Sequence, residues 1–321
     1  MESIQTALGP LSPEDLGFTL MHEHVFTRYP DLRYEYRIET ELWIEAAVRQ
    51  LSEIRQQGVH TIVDMTVLGI GRFVPDVKVV SERSGVAVVV ATGVYAPMGL
   101  PNYFGNRIRL GERDAFYRFL VKEIEEGIAD TGIRAGVLKI VTNEQGLNVD
   151  VESIIYDVAR AHRRTGVPIS THSHAASFGG DMQQQLLARA GVDLSRVLIG
   201  HCGDTTDLDY LTRLLLRGSF IGMDRFGIDT MCTFGNRVHT VAELCKRGFA
   251  SQIVLSQDTN CATDNFPLDL RSRYLGWERW RMTHLVNDVL PALREVGVSD
   301  TEIVTMTVDN PRRILEPVTS Y

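Results

Sequence analysis

Eight short runs rich in valine and isoleucine recur along the chain, and their spacing limits the fold more than any other feature. They are "LGFTLMHEHV" (16–25), "TIVDMTV" (61–67), "VAVVVATGVY" (86–95), "AGVLKIV" (135–141), "VPISTHS" (167–173), "VLIGHCG" (197–203), "FIGMDRFG" (220–227) and "IVLSQD" (253–258). Near-continuous hydrophobicity of this kind marks parallel strands covered on both faces. Amphipathic segments with helical spacing lie between them, such as "ETELWIEAAVRQLSEIRQQG", "VDVESIIYDVARAHRRTG" and "DLDYLTRLLLRG". Several of these segments end in glycine just before the next strand, where a helix is expected to stop. A chain of 321 residues could hold two average domains or one large barrel. Eight strand–helix alternations without a long linker predict one domain over residues 1–321, a single (β/α)8 TIM barrel.

Composition narrows the partners. A hydrophobic fraction of 44% supports a sizeable core, and a net charge of −8 argues against a dedicated nucleic-acid or anionic-membrane surface. No apolar run approaches the length of a membrane span, and "MESIQTALGPLSPEDLG" reads as no secretory signal. Cys202, Cys232, Cys245 and Cys261 form no CxxC pair, which suits a reducing cytosol, so a cytoplasmic location without structural disulfides is expected.

The stretch "TLMHEHV" sets two imidazoles into an apolar strand. Side chains alternate along a strand, so His22 and His24 share one face while Glu23 takes the other. Such a pair is either two buried polar groups in need of partners or two ligands of one metal. The ends of the other strands decide between these. Lys139 closes the fourth run, His172 the fifth, His201 the sixth and Asp258 the eighth, and a barrel brings all of them to one mouth. That convergence favours a metal centre.

Lys139 is unusual because 29 of the 33 basic residues are arginine, and it alone among the lysines lies in an apolar strand. A buried lysine can be paired with a carboxylate, or serve as a Schiff-base nucleophile. As a third possibility, its amine can carry CO2 as a carbamate, an anion able to bridge two ions. With four histidines and an aspartate nearby, the carbamate accounts for the most residues.

These residues in this order resemble the phosphotriesterase family of the amidohydrolase superfamily, nearest its phosphotriesterase-like lactonases. "GPLSPEDLGFTLMHEH", "ATGVY", "GHCGD", "DRFG" and "VDNPRRILE" carry the likeness almost from end to end. The resemblance implies a binuclear centre in which His22, His24 and Asp258 hold the more buried ion and His172 with His201 the more exposed one. N6-carboxylated Lys139 and a hydroxide would bridge the two ions. Zinc suits this donor set, and cobalt, manganese or iron could replace it. Attack by the hydroxide on an ester, with Asp258 accepting the proton, is the implied chemistry. The resemblance further implies that Tyr95 orients the substrate carbonyl, that Arg225 orders the loops over the pocket, and that the protein is a homodimer. The expected substrate is a small lactone with an apolar acyl tail, such as an acyl-homoserine lactone, with phosphotriesters as a side substrate. A phosphotriester, or another carboxylic ester or amide, as the main substrate is the alternative, with a Schiff-base lyase using Lys139 behind it.

One departure bears on that substrate. Lactonase relatives commonly carry a Tyr–Cys pair after the strand-eight aspartate and a tryptophan shortly beyond, where this chain has Thr259–Asn260 and Asp264–Asn265. A more polar pocket wall is expected. Two long segments, 26–39 and 259–277, are expected as loops at the barrel mouth, with Trp277 and Trp280 read as the apolar side of a helix in preference to a pocket wall. Asp204 is expected to bond a ligand histidine or cap a helix, His60, His162, His239 and His284 are expected to be structural, and His174, which shares the parity of His172, is expected not to be a ligand. No Walker lysine and no GxSxG elbow appears, which argues against a nucleotide site or a serine hydrolase.

Overall fold

A computed structural model describes residues 3–31, 40–266 and 277–321. The eight valine-rich runs form β3 (Phe18–Thr27), β4 (Val59–Asp64), β5 (Ala87–Gly93), β6 (Val137–Val141), β7 (Ile169–His172), β8 (Val197–Ile199), β9 (Phe220–Met223) and β10 (Ile253–Leu255). Each pairs in parallel with the next in sequence, and helices fill most of the crossovers, as the alternation predicts.

The last strand differs from expectation. Asp258 adopts a left-handed backbone (φ 51°), and beyond it β11 (Asn260–Thr263) resumes as a further parallel strand on β3. Two bonds flank the bend: Asp258 N–H donates to His22 C=O at 3.0 Å, and His24 N–H donates to Thr259 C=O at 2.9 Å. The eighth strand is thus two segments, and the second closes the barrel on the first strand. Residues 260–263 therefore leave the segment expected as a loop. Residues 32–39 and 267–276, the remainder of the two long loops, lie outside the described residues.

Alternation along the strands sorts the core into two bodies. Val63, Val89, Val137, Leu198, Phe220 and Val254 pack together inside the barrel. Their neighbours Ile62, Val88, Leu138, Ile199, Ile221 and Ile253 face outward into the layer shared with the helices. The hairpin β1 (Ile4–Thr6) and β2 (Gly9–Leu11) covers the N-terminal end, where Ala7 N–H bonds Val88 C=O at 2.8 Å.

Helix boundaries follow their caps. The helix Val149–Thr165 starts where the Asn148 side chain accepts from Val151 N–H, and stops at left-handed Gly166. It buries Val151, Ile154, Ile155 and Val158 on one face. No helix among the described residues is long and apolar enough to cross a membrane.

Candidate metal centre

Four histidines, one lysine and one aspartate meet at the C-terminal mouth of the barrel, as their positions at strand ends predict. His22, His24, Lys139, His172 and Asp258 line one cavity of about 280 Å³, together with Tyr95 and Arg225. His201 stands directly behind it, its Nε2 2.9 Å from His172 Nδ1. Lys139 Nζ lies 3.3 Å from His22 Nε2, and His24 Nε2 lies 3.2 Å from Asp258 Oδ1.

Strand geometry explains these positions. Met21 belongs to the barrel interior, so strict alternation would turn His22 outward. The register of β3 on β4 shifts between Leu20 and Glu23, and past this irregularity His22 and His24 both face the mouth. Lys139 keeps the interior parity of Val137. Gly200 brings β7 and β8 together before His201, since a Cβ there would sit 2.0 Å from Thr171 C=O.

Hydrogen bonds set the tautomers. The Thr66 hydroxyl donates to Phe26 C=O and therefore accepts from His24 Nδ1–H at 2.8 Å, which leaves the His24 Nε2 lone pair facing Asp258. Asp224 accepts from His201 Nδ1–H at 2.8 Å and from the His201 backbone N–H at 2.9 Å, turning Nε2 toward the centre. The other Asp224 oxygen lies 3.4 Å from His22 Nδ1. Carboxylate or hydroxyl partners of this type orient metal-ligating imidazoles.

Burial governs the charges. It pushes the His22 imidazole down to about 3, with the Lys139 ammonium acting in the same sense. It also holds His172 well below its ordinary value. Both imidazoles are thus neutral, the form that binds a cation. Burial lowers the Lys139 amine to about 8, against the pull of Asp258, so neutral amine is available near physiological pH. Burial alone would raise Asp258, but His201, His22, His24 and Arg225 outweigh it and hold the carboxyl well below its usual range.

The donor set fits divalent cations. His22, His24 and Asp258 each offer a ligand atom within 4.8 Å of the others, and His22, His201 and Asp224 do the same. Imidazole nitrogens and a carboxylate gathered this closely in a buried mouth make the donor set that divalent cations such as zinc take.

Several expectations are corrected. The carboxylate behind His201 is Asp224, whereas Asp204 accepts from Arg225 Nη1 at 2.9 Å and forms an ion pair with Arg237 Nη2 at 2.9 Å. Trp277 and Trp280 line the cavity instead of serving only as the apolar side of a helix. Asn260 and Asn265 contribute the polar wall, but Thr259 is fully buried and lies outside that wall. Sequence reasoning passed over Thr66 and Asp224, whose only signal was a polar residue at the end of an apolar strand. His174 bonds Ser177, His162 bonds Val167 C=O and Tyr321, and His284 bonds Asp288, all away from the cluster. All four cysteines are buried and free.

Comparison with known proteins agrees with this geometry. The profile described as the phosphotriesterase family matches residues 2–315. A phosphotriesterase homology protein of Mycobacterium tuberculosis is 46% identical, with 100% of both chains covered. An aryldialkylphosphatase of Saccharolobus solfataricus is 36% identical over 94% of this chain and 96% of its own. The solved structure of a mutant PTE-like lactonase from Deinococcus radiodurans superposes with a TM-score of 0.91 at 31% identity, covering 98% of this chain and 100% of that one. A (β/α)8 barrel, a donor set at its mouth that fits divalent cations and a family profile that matches nearly the whole chain lead to a single assignment: the chain belongs to the phosphotriesterase family and is a metal-dependent hydrolase.

Proposed function

We propose that the protein opens lactones with an apolar acyl tail, of the acyl-homoserine lactone type, at a binuclear centre, with phosphotriesters as promiscuous substrates. The observation that carries this reading is the gathering of five ligand-type side chains, with His201 behind them, beside an apolar cavity wall of Ile228, Met231, Phe266, Trp277 and Trp280. His22, His24 and Asp258 would hold one ion, His172 and His201 the other, and Lys139, carboxylated on Nζ, would serve both. Two such ions, zinc in the first instance, supply a water-derived nucleophile at neutral pH and polarise the bond under attack.

The protein's own groups divide the remaining work. Asp258 offers Oδ1 toward His24 and Oδ2 to Arg225 Nε at 2.9 Å, and in our reading it accepts the proton released during attack. The Tyr95 ring stands edge-on to His172 with centroids 5.7 Å apart, and burial raises its phenol. The phenol therefore keeps its proton and can donate to a substrate carbonyl. Aromatic and thioether walls exclude water from the acyl side. The names of two relatives, an aryldialkylphosphatase and a PTE-like lactonase, support esters of carbon and of phosphorus alike. Tetrahedral phosphorus resembles the tetrahedral intermediate of lactone opening, so one site can serve both.

Asn260 and Asn265 favour a second reading, in which a more polar ester, amide or phosphotriester is the main substrate. A turnover screen of the metal-loaded protein on lactones, aryl esters, amides and phosphotriesters separates the two. The highest kcat/KM is expected on lactones, and a preference for any other class replaces the first reading with the second. A homodimer, suggested by the resemblance alone, is tested by light scattering.

A further inference from the structure

Asp258 must reach the centre from a backbone conformation that strands do not supply. Its φ of 51° is left-handed, a region costly for a residue with a Cβ, and it interrupts the eighth strand between β10 and β11. Such a bend breaks the ladder, so the backbone groups of residues 257–259 need other partners. Two of them find β3: Asp258 N–H meets His22 C=O, and Thr259 C=O meets His24 N–H. The other four are taken by two side chains.

Glu23 takes the two amides. Its Oε1 accepts from Gln257 N–H at 2.9 Å and from the Ser256 hydroxyl at 2.8 Å, while Oε2 accepts from Thr259 N–H at 2.8 Å. Trp280 takes the two carbonyls, its indole N–H lying 3.2 Å from Gln257 C=O and 3.0 Å from Asp258 C=O. Glu23 is fully buried, and its partners are two amides and a hydroxyl, none of them cationic. Both carboxyl oxygens act as acceptors toward these three converging donors, so the side chain matches the bend atom for atom. A glutamine there would present an NH2 to one of them.

We propose that Glu23 is a positioning residue that fixes left-handed Asp258 in its ligand and proton-accepting orientation, with Trp280 as the opposing jaw. The proposal rests on the reading of the site as a metal centre. Glu23 itself touches neither substrate nor ion; it acts through the backbone on both sides of Asp258.

The test compares zinc-loaded wild type, Glu23→Gln and Trp280→Phe for the rate of zinc release into excess chelator and for kcat and KM on one turned-over substrate. Glu23→Gln is expected to release zinc roughly ten- to a hundredfold faster, the usual range when a residue supporting a metal ligand is lost. Its kcat should fall while KM stays within about twofold, a split that general loosening of the fold would not give. Trp280→Phe keeps an aromatic side chain and removes the N–H, and should release zinc faster as well. A folded Glu23→Gln variant with wild-type release and kcat overturns the proposal. If that variant does not fold, Trp280→Phe decides: faster release supports the clamp and unchanged release overturns it. Wild type that retains no zinc would refute the metal centre itself, whereas equal retention by wild type and Glu23→Gln refutes only the role of Glu23.

Discussion

Arg225 Nε donates to Asp258 Oδ2 at 2.9 Å, and both residues stand in left-handed backbone at the ends of neighbouring strands. His201, at the end of the strand before, is left-handed as well (φ 60°). Three successive strands thus finish on a strained residue that turns its side chain into the mouth. Observed strain of this sort concentrates where function needs an orientation that regular structure does not supply. Arg225 is also held by Asp204, which Arg237 anchors from behind while bonding the carbonyls of Asp224, Ile228 and Cys232. The loop after β9 and the orientation of Asp258 therefore depend on one guanidinium chain.

Substituting Arg225 by lysine should keep the charge and lose the fork that joins Asp258 to Asp204. Metal content should stay near that of wild type. The order of preference across an ester and lactone panel should change, and kcat/KM on the best substrate should fall by about tenfold or more. Loss of both metals from this variant would show that Arg225 acts mainly by holding Asp258 in place and not by shaping the pocket.

Lys139→Ala removes the amine that would carry CO2. Metal retention and turnover should both be abolished, and short carboxylic acids added to the medium should restore part of each by standing in for the missing carbamate. Elemental analysis with and without propionate checks the outcome. A variant with full metal content and full activity would remove the carbamate from the account.

Asp224→Asn tests the carboxylate behind two imidazoles. Asp224 faces His201 Nδ1 at 2.8 Å and His22 Nδ1 at 3.4 Å, one histidine from each proposed ion. Against the cost of burial, these partners hold its carboxyl well below the usual range, so it is charged whenever the site is occupied. Its neutral isostere should weaken binding at both sites by about ten- to a hundredfold, read by competition with a chelator. Weakening of one site alone would mean that Asp224 serves His201 and leaves His22 to burial.

Much of this centre was legible because strand ends in a barrel share one mouth, so chemistry on His22, Lys139, His172, His201 and Asp258 could be joined without knowing any distance. What stayed hidden depends on local geometry. No pattern announces the register shift on β3 that turns His22 inward, and strict alternation from Met21 would have sent it outward. The left-handed Asp258 splits a strand that reads as one run, so residues 260–263 looked like loop. Asp224 and Asp204 are both acids just past a strand, and only the bend at His201 decides which one reaches its imidazole. Trp277 and Trp280 fit a helix face as well as a pocket wall until the chain is folded.

The last prediction concerns pH and lies at the other end of the barrel. Buried His162 has Nδ1 2.7 Å from Val167 C=O and Nε2 2.7 Å from the Tyr321 hydroxyl, which also receives Asp193 N–H at 2.8 Å. Nδ1 must carry the proton, and Nε2 accepts from the phenol, so the fold is built around the neutral ring. Burial accordingly lowers its pKa from the ordinary 6.5. With the folded value below the unfolded one, the unfolded chain gains a proton first as pH falls. Stability is therefore whole above about 6.5 and is lost progressively below it, by roughly 1 kcal/mol per pH unit for each such histidine. Denaturant midpoints at pH 7, 6 and 5 should decline in wild type and decline less in His162→Asn, whose amide can still donate to Val167 C=O. Equal declines in the two proteins would mean that His162 titrates alike folded and unfolded, and that its bond to Tyr321 does not depend on the neutral ring.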